Sequence, residues 1–151
     1  MKTTVLRPFL IAGVLASTVG VGAPAALGAH FTSPSRNIDC RVSGTGGGVA
    51  TCNVARHNWS SVKRKPASCR LAWFPTDVSL VRRTTTVGGC RGDIGPMCLP
   101  GSPCTVLAYG RSITVKGIRC TSLTSGVVCR RTDTMRMQGF KVSRQRVTVY
   151  R

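Results

Sequence analysis

Ser112-Ile113-Thr114-Val115-Lys116-Gly117-Ile118-Arg119-Cys120-Thr121-Ser122-Leu123-Thr124-Ser125-Gly126-Val127-Val128-Cys129-Arg130 has the period of extended chain, not of helix. Ile113 and Val115 alternate with Thr114 and Lys116, the pattern of a strand buried on one face. Residues 118–122 and 126–130 then flank Ser125-Gly126, and a hairpin there brings Cys120 to Cys129. The alternation returns at the C-terminus, where Val147 and Val149 oppose Arg146, Thr148 and Tyr150.

Working outward, the same punctuation recurs. Residues 38–42 and 49–54 flank the loop Ser43-Gly44-Thr45-Gly46-Gly47-Gly48, and further strands are predicted over 70–74, 78–82, 84–87 and 140–142. β-Branched residues dominate these runs, and no stretch holds a helical period. Short strands at regular spacing with glycine turns predict an all-β domain, a small disulfide-stabilised sandwich or barrel.

Eight cysteines fall in this region: Cys40, Cys52, Cys69, Cys90, Cys98, Cys104, Cys120 and Cys129. Spacing alone leaves 105 pairings open. Strand order favours neighbours, with Cys40 to Cys52 and Cys120 to Cys129 across hairpins, Cys98 to Cys104 around Leu99-Pro100-Gly101-Ser102-Pro103, and Cys69 left for Cys90. Zinc is the rival use of such residues. No Cys-x-x-Cys pair occurs and only His30 and His57 could add imidazole, so neither a metal nor a cofactor is expected.

The N-terminus explains why disulfides are the better reading. Lys2 and Arg7 precede an uncharged apolar run reaching Val21, followed by small residues that permit cleavage anywhere from after Ala25 to after Ala29. Gly13, Gly20, Gly22 and Pro24 make that run a poor membrane helix. The expectation is a leader over 1–29, cut after Ala29, and one disulfide-rich β domain over 30–151, secreted or at the cell surface where thiols stay oxidised.

Charge narrows the function classes. The chain carries 22 Lys and Arg against 4 Asp and no Glu, and losing Lys2 and Arg7 with the leader lowers the net charge from +18 to +16. Such a field favours polyanions, and it also keeps a small protein soluble and monomeric. The candidate anion-binding residues are Arg56, Lys63, Arg64, Lys65, Arg130, Arg131, Arg144 and Arg146. Trp59, Trp73, Phe74 and Tyr150 lie near these clusters in sequence, but so few aromatics in a small β domain read as core, and specific nucleic-acid recognition is not expected.

Catalysis has little to work with. Asp39, Asp77, Asp93 and Asp133 are the acidic side chains, and a serine, His57 and aspartate set lacks any nucleophile-elbow motif, so no catalytic residue is assigned. Arg91-Gly92-Asp93 copies an integrin-binding tripeptide but reads as a constrained turn beside Cys90. The expected partner is an anionic cell-envelope or other extracellular polymer. The alternatives are a protein partner met by the loop between Cys98 and Cys104, and, less favoured, a hydrolase.

Several residues also form a pattern in order: Phe31-Thr32-Ser33-Pro34-Ser35 with Asn37-Ile38 and Cys40, then Cys52, Trp59, Pro66, Cys69, Cys90 and Gly92-Asp93. It continues through Leu107, Tyr109-Gly110, Gly117, Cys120, Gly126, Cys129, Gly139-Phe140 and Ser143-Arg144. This resembles a family of small secreted actinobacterial proteins that carries only a domain-of-unknown-function label. The resemblance implies secretion and a disulfide-linked β domain, and no activity. Two departures stand out: Arg36 replaces a glycine of that pattern, and Met137-Gln138 replaces a Gly-His pair. Against it, Cys98 and Cys104 look like an addition to a six-cysteine core.

Overall fold

The computed structural model describes residues 28–60 and 62–151. The expected leader therefore lies outside the described residues, apart from its last two positions. Eleven strands form two sheets, and the only helical turn among the described residues is a 3-10 turn at Thr45–Gly47. No helix among them is long and apolar enough to cross a membrane.

Sheet A contains β1 (Gly28–Thr32), β2 (Ile38–Ser43), β3 (Val49–Val54), β4 (Ala72–Val81), β5 (Thr84–Arg91) and the short β6 (Thr105–Val106), in the order β5-β4-β3-β2-β1-β6. Sheet B contains β7 (Ser112–Val115), β8 (Ile118–Leu123), β9 (Gly126–Arg131), β10 (Gly139–Val142) and β11 (Val147–Tyr150), in the order β11-β10-β9-β8-β7. The sheets stack as an open sandwich and do not close into a barrel. All pairings are antiparallel except β1 with β6.

Alternation puts one side of each strand into a shared core. Cys40, Val42, Ala50, Cys52, Val78 and Leu80 come from sheet A, and Ile118, Cys120, Val127, Cys129, Phe140 and Val142 from sheet B, all fully buried. The cysteines pair as neighbours: Cys40–Cys52, Cys69–Cys90, Cys98–Cys104 and Cys120–Cys129. Cys40 stands directly opposite Cys52, and Cys120 opposite Cys129. These two bridges meet across the core, with Cys52 Sγ 3.8 Å from Cys129 Sγ. Each hairpin is thus stapled where it faces the other. Four disulfides suit an oxidising compartment.

Three strand expectations are corrected. Residues 70–74 and 78–82 belong to one strand, β4, whose register shifts between Phe74 and Val78. Pro75 lies within that irregularity, where the missing N–H removes no regular ladder bond. β6, a two-residue strand, was not expected. Nor was β1, whose Gly28 and Ala29 pair with Ser43 and Val42, two residues ahead of the expected junction after Ala29. Within the candidate cleavage range, any cut before Gly28 keeps that strand whole.

Candidate functional site

The two outer faces differ in what covers them. On sheet A, residues 91–98 fold back over the strands. Arg91 Nε donates to Asp77 Oδ2 at 2.7 Å, His30 Nε2 donates to Pro96 O at 2.8 Å, and the Cys98 amide donates to Asp39 Oδ2 at 2.9 Å. The Asp77 side chain is 2% exposed, and Asn53 Nδ2 supplies its Oδ1 with a further bond at 2.7 Å. The Arg91 guanidinium also lies 3.5 Å from the centre of the Phe74 ring. Within Arg91-Gly92-Asp93 the cation is therefore already engaged, while Gly92 and Asp93 stay exposed. Asp39, Asp77 and Asp93, three of the four acidic residues, sit on this side.

Sheet B's outer face is bare and one-signed. Register places Thr114, Arg119, Arg130, Gly139 and Tyr150 opposite one another across five strands. The next outward row, about 7 Å along the strands, is Ser112, Thr121, Val128, Lys141 and Thr148. Residues 111–151 hold ten Lys and Arg and one acid, Asp133. Arg119 and Arg130 are direct cross-strand neighbours, an arrangement that costs stability because like charges repel at that separation. Arg119 Nε leans to Thr114 Oγ1 at 3.4 Å. A hollow of about 460 Å³ opens here, lined by Arg119, Arg130, Thr132, Thr134, Met135 and Arg136 among others.

Asp133 does not neutralise that face, because Arg131 occupies it. Arg131 Nε and Nη2 donate to both carboxylate oxygens at 2.7 and 2.5 Å, and Nη1 donates to Gly47 O and Arg82 O. Bonding to Arg131 holds the Asp133 carboxyl below the usual carboxylate range, and the same bonds raise the Arg131 pKa. Arg131 ties the β2–β3 and β4–β5 turns to the β9–β10 loop. Its fork is filled, so of the eight sequence candidates it is the one whose guanidinium serves the fold.

The other candidates divide by position. Arg130 is on the bare face. Arg56 and Arg144 line a cleft of about 220 Å³ between the far ends of the sheets. Arg146 lines an adjoining hollow with Ser125, Lys141 and Thr148. Lys63, Arg64 and Lys65 are not brought to this surface. They lie in the connection between β3 and β4, where residues 62–68 are exposed, and this part is held to sheet A by the Cys69–Cys90 bridge and by Trp73 Nε1, which donates to Lys63 O at 2.9 Å.

Other sequence features find structural roles. Trp59 Nε1 donates to Ser143 O at 2.9 Å, and the His57 ring lies 5.3 Å from the Trp59 ring. His30, Cys98 and Cys104 come together, as do Cys40, Cys52 and Cys129, yet every sulfur in both groups is in a disulfide and presents no thiolate to a metal. The loop between Cys98 and Cys104 holds Leu99, 47% exposed.

Sequence reasoning missed Arg119, and it gave Lys141 and Arg136 no place in a site. The signal was available: outward parity on β8 and β10, read beside Arg130, marks Arg119 and Lys141 as its face-mates. Arg136 sits on a loop and has no such marker.

Charge is also kept at positions where the backbone resists it. The three non-glycine residues with positive φ among those described are Arg36 at 52°, Arg82 at 54° and Lys116 at 43°. All three are cations in turns that glycine or asparagine would occupy more easily. Arg36, the departure noted above, is one of them.

A family model described as a family of unknown function, DUF6636, matches residues 10–150. No curated protein and no solved structure matches the chain.

Proposed function

The chain belongs to that family of unknown function, and we propose that it is an exported, non-enzymatic sandwich that holds an anionic polymer outside the membrane on the outer face of sheet B. The observation that carries this reading is the directly opposed pair Arg119 and Arg130 on a face whose strands carry no acid. Removing a like-charged pair would help the fold by a few tenths of a kcal/mol to about 1 kcal/mol. An anion bridging both guanidiniums reverses the sign of that term, since Arg forks bind carboxylate or phosphate in two-point fashion.

An open face that carries the Arg119–Arg130 pair and, one row along at about 7 Å, Lys141 suits a linear ligand with repeated charge better than a compact one.

The test is retention of the oxidised protein on isolated cell-envelope polymer, eluted along a salt gradient. Retention that weakens steeply with salt is expected, because each screened contact is lost together with its counterion release. Retention no more salt-sensitive than that of a neutral protein of the same size would overturn the reading. If retention resisted salt and vanished on deleting residues 99–103, the partner would be a protein met by the stapled loop.

A further inference from the structure

Where the bare face ends, the β1–β2, β8–β9 and β10–β11 turns and the start of connection 55–71 enclose the 220 Å³ cleft. Its character differs from that of the open face. Two cations, Arg56 and Arg144, share it with the hydroxyls of Ser35, Ser125 and Ser143 and with Tyr109, which is 43% exposed. No carboxylate lines it.

Both cations are positioned through their backbones. Asn37 brackets Arg56, its Nδ2 donating to Arg56 O at 3.0 Å and its Oδ1 accepting from the Arg56 amide at 2.9 Å. The Asn58 amide donates to Arg144 O at 2.7 Å. Ser143 Oγ accepts from the Gln145 and Arg146 amides at 3.2 and 3.1 Å, which fixes the turn that presents Arg144. Neither guanidinium has an ion-pair partner among the described residues. The wall is rigid while the charged ends remain available, the arrangement that lowers the ordering cost of binding.

We propose that this cleft is a recognition site for a single sugar or polyol unit bearing a carboxylate or phosphate. The two guanidiniums call for an oxyanion. The hydroxyls of Ser35 and Ser125, each with one side-chain partner inside the protein, keep capacity to donate or accept toward ligand hydroxyls, whereas Ser143 Oγ is spent on its own turn. The exposed phenol gives a flat apolar surface with a polar tip. Drug-sized ligands occupy roughly 300–1,000 Å³, so a cleft of 220 Å³ accommodates one unit and not an oligomer. The site uses residues separate from Arg119 and Arg130, so it and the face can fail independently.

The experiment titrates the ¹⁵N-labelled oxidised protein with glucuronate, glycerol 3-phosphate, glucose and inorganic phosphate, following backbone amides by NMR. Saturating shifts at Ser35, Gly126, Arg144 and Gln145 are expected with glucuronate, glycerol 3-phosphate or both, and the stronger of the two identifies the anionic group. Glucose, which lacks the oxyanion, should bind at least about tenfold more weakly, the factor set by losing one charge-assisted interaction. Inorganic phosphate, which lacks the hydroxyl-bearing skeleton, should also bind about tenfold more weakly, the factor set by losing one or two neutral hydrogen bonds. Arg144→Gln and Arg56→Gln should each weaken the tighter probe by a similar factor, and Arg119→Ser should leave it unchanged. The proposal is overturned if both acidic probes shift only residues outside the cleft, or if either cleft variant binds as the wild type does. Retained amide dispersion in each variant separates lost binding from lost fold.

Discussion

The two outer faces are built from the same kind of strand, yet they treat charge in opposite ways. On sheet A the cation Arg91 is folded onto Asp77, flanked by Asn53 and Phe74, and roofed by a loop stapled at Cys98–Cys104. On sheet B, Arg119 and Arg130 stand opposite each other with no carboxylate on any strand. A charge that serves the fold is paired and covered. A charge left exposed beside its like, as Arg119 and Arg130 are, has no ion-pair partner among the described residues. Arg131 makes the distinction sharper, because it neighbours Arg130 in sequence but belongs with Arg91 in kind.

The largest effect should come from breaking the paired side. Asp77→Asn leaves the mostly buried Arg91 with only the exposed Asp93 carboxylate, 3.7 Å away, as an ionised partner, and a chemical denaturation curve should show a loss of up to about 3–5 kcal/mol. Salt-dependent retention of the still-folded fraction should not change. Breaking the bare side should do the reverse. The double substitution Arg119→Ser with Arg130→Ser should lower the dependence of log affinity on log salt by about two, one for each lost contact. Its stability should be unchanged or higher by up to about 1 kcal/mol.

Asp133→Asn tests the intermediate case and should lower the melting temperature less than Asp77→Asn does. The Asp133 pKa is depressed, chiefly by its bonds to Arg131. Its contribution is therefore present above the ordinary carboxylate range and is lost as pH falls through the lowered value. An acid melting series of the wild type should show that loss, and the variant should lack it. The smallest effects belong to the strained turns. Lys116 and Gly117 both have positive φ, the requirement of a two-residue hairpin turn that favours Asn-Gly. Lys116→Asn and Arg36→Gly should each raise stability by a few tenths of a kcal/mol to about 1 kcal/mol, measured by thermal denaturation.

Much of the fold was legible because alternation and cysteine placement constrained each other. Residues 112–130 predict three strands, and the hairpin that buries Val127 also sets Cys120 against Cys129. β1 was not legible, since Gly28-Ala29-His30 offers no β-branched residue and adjoins the leader. Pro75 disguised one strand as two. For the site, sequence clusters marked cations but could not rank them. Lys63, Arg64 and Lys65 form the densest run yet sit on a connection tied to sheet A, whereas Arg119 and Arg130 form no run and meet only across the β8–β9 hairpin, beside Cys120 and Cys129. Ranking them required the register, and Arg131 required its partner Asp133, an acid only two residues away.

The most direct measurement compares two triple variants that remove the same charge from different places: Arg119→Ser, Arg130→Ser and Lys141→Ser on sheet B, and Lys63→Ser, Arg64→Ser and Lys65→Ser on the connection. Each is eluted from the same anionic envelope polymer along a salt gradient. A surface-specific site predicts that the sheet B variant elutes at clearly lower salt, while the connection variant stays close to wild type. Equal shifts for the two would show that net charge alone governs retention, and would contradict the assignment of the outer face of sheet B as the binding surface.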